Sequence, residues 1–270
     1  MPDYEIWQWT ENNLTNENQN QNENGNVNEN ENCLFDRVMS FDLNIIPYTA
    51  EAYRLKKYAF VSDYARFWIL YKYGGIYFDT DVEVIRPMDD IIARGHFMGF
   101  EVDPDGENTP GRYAPRYCFD VALGLGFGIE KEHPFMRKMM DYYNGMEFKG
   151  AEMNPWLKTI VAYTTEALME DGLLNVKGIQ QVGDITVYPH EFFAPIDVIT
   201  GRLHITPNTY TIHWYMGSWS GDNENQNQNK NQNKKDIMSL DYLKKRLRNA
   251  LPEWVFYLNN KIKRRYYRIK

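Results

Sequence analysis

Apolar positions along the chain fall into several runs with recognisable periods, separated by stretches that have almost nothing to bury. Residues 3–9, DYEIWQW, read as a short strand. A long helix is predicted from Thr49 to Tyr73, with Thr49 as its cap, Glu51 in its first turn and Ser62 capping a new turn inside it. Its apolar residues Phe60, Val61, Tyr64, Ala65, Phe67, Trp68, Leu70 and Tyr71 surround nearly the whole circumference, so the helix should be buried. Gly74 fits the position after a helix end. The β-formers Ile76-Tyr77-Phe78 and the alternating Val82-Glu83-Val84-Ile85 follow as strands. Residues 118–129, CFDVALGLGFGI, read as strand and turn, and helices cover 134–144 and 155–171. Tyr188-Pro189 and Phe192-Phe193 read as strand and turn elements. Near the end, Leu240, Leu243, Leu247, Leu251 and Val255 form one helical stripe, broken at Pro252.

Two stretches lack this patterning. Residues 11–32 are almost wholly Asn, Glu and Gln, and residues 222–235 (DNENQNQNKNQNKK) repeat the character. Such segments cannot bury enough apolar surface to offset chain entropy, so they read as disordered spacers. Elsewhere 20 Tyr and 7 Trp argue for a packed interior, and 270 residues suffice for one sizeable domain. No run of 18 apolar residues is present, and the N-terminus MPDYEIWQW lacks the basic and apolar regions of a signal peptide. Cys33 and Cys118 are too few for a disulfide scaffold, and free thiols of the cytosol are the simpler expectation.

Charge adds one feature. Residues 234–270 carry 12 Lys and Arg against three acids, although the whole chain has net charge −7. A basic tail on an acidic body suggests an anionic surface as partner. The stripe at 236–270, flanked by Lys244, Lys245, Arg246 and Arg248, suits either an interfacial helix on anionic lipid or a helix packed on the domain. The acidic body argues against nucleic acid.

The chemistry centres on residues 62–84, SDYARFWILYKYGGIYFDTDVEV. A buried helix with Asp63 and Arg66 three apart on one face runs into a Gly-Gly turn and then a short strand ending in Asp79-Thr80-Asp81. Strand residues two apart point the same way, so Asp79 and Asp81 can converge as an oxygen-rich site for Mg²⁺ or Mn²⁺. A second triplet, Asp103-Pro104-Asp105, lies in a Pro- and Gly-rich stretch and reads as a solvated turn. Asp63 with Arg66 is either functional or a structural ion pair. Glycines 124, 126 and 128 are too closely spaced for a dinucleotide fingerprint. His213, a lone histidine among aromatics, is by itself an ordinary packed residue.

Ser62, Asp63 and Arg66, followed by Gly74, Gly75, Tyr77, Asp79 and Asp81, resemble the signature of the Asp-x-Asp sugar transferases of glycosyltransferase family 32. Looser echoes lie at Gly99-Phe100-Glu101, Glu130–Pro134, Tyr188-Pro189, His213-Trp214 and Gly217-Ser218-Trp219, so the resemblance spans roughly residues 50–220. It implies an α/β GT-A fold, a mostly parallel, Rossmann-like mixed sheet flanked by helices. The expected organisation is a transferase domain over 1–221 with the 11–32 insert, a low-complexity linker at 222–235 and a basic helical tail at 236–270. The family's opening strand has no counterpart here.

The resemblance further implies metal-dependent, retaining transfer of a hexose from a nucleotide-sugar to a glycan or lipid-linked glycan acceptor, in surface polysaccharide synthesis such as that of bacterial capsule. Asp81 would hold Mn²⁺ or Mg²⁺ directly, Asp79 would bind the metal or the donor's ribose, and His213 would complete the set. Asp63 and Arg66 would orient the donor sugar, and Tyr77, Ser218 and Trp219 would contact the donor. The chain would be cytoplasmic and peripheral on the inner membrane face. The alternative is a non-catalytic nucleotide- or glycan-binding relative.

Overall fold

The computed structural model describes residues 5–11, 36–106, 119–148, 159–197 and 201–215. The tracts at 12–32 and 222–235, the tail at 236–270, Ser218, Trp219 and both cysteines lie outside them. The chain divides into two compact units, Met1–Lys72 with Glu132–Leu157, and Tyr73–Lys131 with Lys158–Lys270.

In the first unit, β1 (Trp7–Glu11) and β2 (Arg37–Phe41) pair in parallel, with Trp9 opposite Met39. Parallel neighbours need a connection of a dozen residues or more, and the polar tract between these strands supplies that length. The long helix expected over 49–73 is two helices, α1 (Pro47–Arg54) and α2 (Tyr58–Tyr73). Thr49 is not the cap. It sits inside α1, where its hydroxyl donates to the Leu43 and Ile46 carbonyls. Pro47 starts the helix instead, its missing N–H costing nothing in a first turn. The break comes from Lys56, which takes φ +57° while Lys56 N–H reaches Tyr53 O and Lys57 N–H reaches Ala52 O. That is a Schellman ending with lysine where glycine is usual, which is why no glycine marked it in the sequence.

Ser62 does not cap a turn; it lies within α2, its hydroxyl on the Ala59 carbonyl. As expected, α2 is buried over most of its length. The helix α4 (Pro134–Asn144; α3 is given below) starts where His133 Nδ1 accepts from Phe135 N–H at 3.1 Å. Its buried residues Phe135, Met136, Met139, Met140 and Tyr143 recur at helical spacing. Tyr143 is the hub of this unit's core, its ring centroid 5.0 Å from Tyr48, 6.1 Å from Tyr64 and 5.8 Å from Phe67.

The second unit carries a six-stranded sheet. Its strands are β3 (Gly75–Tyr77), β5 (His96–Val102), β6 (Asp120–Val121), β7 (Phe127–Ile129), β8 (Gln180–Val182) and β9 (Ile185–Tyr188). The order is β3-β7-β5-β9-β8, with β6 also on β5. A separate antiparallel pair joins β4 (Val82–Val84) to β10 (Thr211–His213). Helices α3 (Asp89–Ile92), α5 (Ile160–Glu170) and α6 (His190–Phe193) complete the unit. The sheet is mixed, but the expectation that it is mostly parallel fails. Only β5–β9 is parallel in it, and the other pairings are antiparallel. The two-residue return through Gly183 between β8 and β9 leaves no room for the crossover that parallel pairing requires.

The turn expected at Phe192-Phe193 is the single-turn helix α6. The core gathers Met88, Ile91, Phe97, Leu125, Tyr188, Phe193 and Tyr210. None of the helices among the described residues is long and apolar enough to cross a membrane.

Packing in this sheet leaves no room at Gly128. A Cβ there would meet the Phe97 ring at 2.3 Å, and Phe97 is buried in the core. Gly128→Ala is expected to cost about 1–3 kcal/mol by overpacking. Urea denaturation checks this as a lower midpoint with an unchanged slope.

Candidate metal centre

Asp79 and Asp81 do converge, though not by strand alternation. Strand β3 ends at Tyr77, and the acidic triplet forms a turn closed by Val82 N–H on the Asp79 carbonyl at 3.1 Å. Asp79 N–H donates to the Gly124 carbonyl at 3.0 Å, which clips the turn to the 3₁₀ segment Leu123–Leu125. Its carboxylate accepts from the Tyr77 hydroxyl at 2.8 Å. On the other side, β4 and β10 pair with Val82 opposite His213, and Trp214 N–H donates to the Asp81 carbonyl at 3.0 Å. This register delivers the imidazole to the acids. His213 Nε2 lies 3.2 Å from Asp81 Oδ1 and 3.7 Å from Asp79 Oδ2.

One ligand atom from each of Asp79, Asp81 and His213 lies within 4.8 Å of the others. The three side chains suit a divalent cation. Two carboxylate oxygens and one imidazole nitrogen form a donor set suited to Mn²⁺, with Mg²⁺ less favoured by the nitrogen. Without a cation, a proton does the same work. Burial disfavours the charged imidazole, but hydrogen bonds to Asp79 and Asp81 outweigh it and hold the His213 pKa up at about 9. His213 Nδ1 is buried with no hydrogen-bond partner among the described residues, and the edge of the ring meets Tyr215 with centroids 4.3 Å apart.

A further acidic pair sits nearby, and sequence reasoning missed its place. Glu101 on β5 has its pKa raised by burial, against the opposing pull of His213 and of a hydrogen bond from Tyr215. Asp120 on β6 is 1 % exposed and stands opposite Val102. Burial first, and the Glu101 charge second, push its pKa up to about 7. The available signal was an aspartate inside the apolar run CFDVALG.

Asp63 and Arg66 belong to the first unit, where they form a buried ion pair at 3.2 Å. Arg66 also donates to the Ser62 carbonyl at 3.1 Å and hydroxyl at 3.2 Å, so the pair is tied to its own helix. Asp103 lies in a loop with its side chain 36 % exposed, but it has a structural partner. Its carboxylate accepts from His190 N–H at 2.7 Å and lies 2.6 Å from His190 Nδ1, anchoring the start of α6 and raising the histidine pKa.

Asp120 generates a pH dependence of known sign. Unfolded, its carboxyl ionises near 3.8; folded, near 7. Between these values the folded chain holds the extra proton, so stability falls as pH rises through the window and levels off above it. Asp120→Asn removes that slope. Between pH 5 and 7.5 the native protein should lose about 2 kcal/mol more than the variant in denaturant titrations.

Comparison with known proteins agrees with this geometry. Residues 1–98 match the family model of the glycosyltransferase sugar-binding region containing the DXD motif, which includes Asp79 and Asp81. The initiation-specific alpha-1,6-mannosyltransferase of Candida albicans is 22 % identical over 227 residues, 66 % of this chain and 58 % of the relative. Its namesake in Schizosaccharomyces pombe is 25 % identical over 60 % of this chain and 47 % of the relative. Inositol phosphoceramide mannosyltransferase 1 of the same yeast is 24 % identical over 71 % and 50 %. The chain thus spans about half the length of the relatives it matches. No solved structure matches it. Residues 1–98, which carry Asp79 and Asp81, are thus similar to the DXD-containing glycosyltransferase sugar-binding region.

Proposed function

We propose that this chain is a metal-dependent, retaining glycosyltransferase of GT-A architecture that moves a hexose from a nucleotide-sugar to a glycan acceptor. The observation that carries this is the convergence of Asp79, Asp81 and His213 within a family defined by that acidic motif. Mannose is the hexose we infer, since the three relatives named above are mannosyltransferases. Those relatives are fungal, and surface polysaccharide synthesis rests on the resemblance alone. A peripheral site on the cytoplasmic face of a membrane, with a lipid-linked acceptor, rests on the basic tail at 236–270.

Asp79, Asp81 and His213 would hold Mn²⁺ or Mg²⁺. When bound, the cation supplies charge neutralisation for the diphosphate leaving group. Asp81 contributes a fixed negative charge, and the ladder through Trp214 N–H holds its backbone against displacement. Asp79 is gripped from three sides, by Tyr77, Gly124 and its own turn. Tyr77 therefore serves the donor through Asp79, a different role from direct contact. His213 must give up its proton to act as a ligand, so cation binding is coupled to proton release. Asp63 and Arg66 take the sugar-orienting role by resemblance. A panel of nucleotide-sugars, scored for Mn²⁺-dependent binding and then for transfer, tests the reading. Binding without transfer or hydrolysis of any donor would favour the non-catalytic alternative.

Asp81→Asn preserves shape and removes the charge that balances the cation. Turnover should drop at least about a hundredfold, the scale of several kcal/mol of lost electrostatic stabilisation. Asp103→Asn should lower the melting temperature through the lost His190 ion pair while leaving turnover within about twofold. Equal losses of turnover in the two variants would exclude the metal assignment.

Arg66→Lys keeps the charge but loses the planar fork. Turnover should weaken while affinity for the bare nucleoside diphosphate stays nearly unchanged. Loss of diphosphate affinity by calorimetry would instead make Arg66 a phosphate or purely structural residue.

A further inference from the structure

Glycine 124 lies in the 3₁₀ segment, with nothing to suggest from sequence that it serves the acidic triplet 45 residues earlier. A Cβ built on it would stand 2.1 Å from Asp79 Oδ2 and 2.8 Å from Asp79 Cγ. The three nearest atoms it would meet all belong to that one carboxylate. Gly124 is not among the residues with positive φ, so its backbone is one that alanine adopts without strain. The glycine is needed here for space, and the space is filled by the Asp79 side chain.

The backbone around the glycine cannot yield, so the carboxylate must. Leu123 and Leu125 on either side of the glycine are each 1 % exposed, which anchors the segment in the core. Asp79 N–H is bonded to the Gly124 carbonyl itself, so the two backbones cannot separate without breaking that bond. The far oxygen of the carboxylate is held by the Tyr77 hydroxyl. An added methyl group must therefore push the carboxylate out of its place by about 1 Å or more, to reach ordinary contact distance.

We propose that Gly124 is a positioning residue of the metal centre: with the Tyr77 hydroxyl, the bare face of the 3₁₀ segment is the mould that sets the Asp79 carboxylate in ligand geometry. The inference rests on Asp79 being a metal ligand. Groups that orient a ligand without touching the metal typically control 10- to 100-fold in affinity. Gly124→Ala should act on that scale.

The test is Mn²⁺ titration of the full chain followed by electron paramagnetic resonance, which counts free ion and needs no substrate or turnover. Gly124→Ala should weaken Mn²⁺ affinity about 10- to 100-fold while its melting temperature without metal stays within a few degrees of the native protein. Tyr77→Phe should weaken Mn²⁺ affinity severalfold in the same direction. Gly128→Ala, whose added methyl meets Phe97 instead, is the control: it should lower the melting temperature yet bind Mn²⁺ within about twofold of the native chain. Native affinity in Gly124→Ala, or an equal loss in Gly128→Ala, would overturn the proposal. Absence of Mn²⁺ binding by the native chain would instead remove the metal reading on which it rests.

Discussion

Two carboxylates held within a few ångströms repel each other, and the second unit is arranged around making that tolerable. At a separation of about 4 Å and an effective dielectric of about 20, like charges cost roughly 4 kcal/mol. Backbone hydrogen bonds hold them in place: Asp79 through Gly124, Asp81 through Trp214, and the triplet through its own turn. Because these bonds use main-chain atoms, they leave the carboxylate oxygens to face His213 and, for Asp79, the Tyr77 hydroxyl. His213 then offsets the repulsion as an imidazolium, and a divalent cation offsets it better, with two charges where the proton has one.

The unit keeps two more acids in the interior, and they are handled differently. Glu101 and Asp120 have little compensation from cations, so burial raises both and one proton is retained near neutrality on Asp120. In the first unit the opposite solution is used, with the buried Asp63 neutralised by Arg66 and the guanidinium further tied to Ser62. A buried pair of this sort is weak evidence for stability, because desolvation consumes much of what attraction returns.

What the sequence determined about this protein is the set of properties that depend on local period and residue type. The aromatic density of α2 required burial, the helix at 134–144 was legible, and the runs at 76–78 and 82–85 gave the strands β3 and β4, whereas Pro47 rather than Thr49 begins the first helix. The triplet at 79–81 pointed to a cation site only through the strands that frame it, since Asp103-Pro104-Asp105 has the same spacing in a loop. The Schellman ending at Lys56 escaped notice since its usual glycine is absent, and the parallel sheet was overestimated since pairing direction depends on connections between distant segments.

Only the tertiary structure decided which distant residues complete the centre. Nothing local ties His213 to Asp81 across more than a hundred positions; the β4–β10 register does. Nothing local distinguishes the Gly124 that Asp79 occupies from Gly126 and Gly128, whose empty faces are filled by Phe78 and Phe97. A missing side chain leaves no pattern along the chain, because its meaning lies in the group that comes to fill the space. Asp103 shows the same limit from the other direction, since the histidine that its carboxylate holds is 87 residues away.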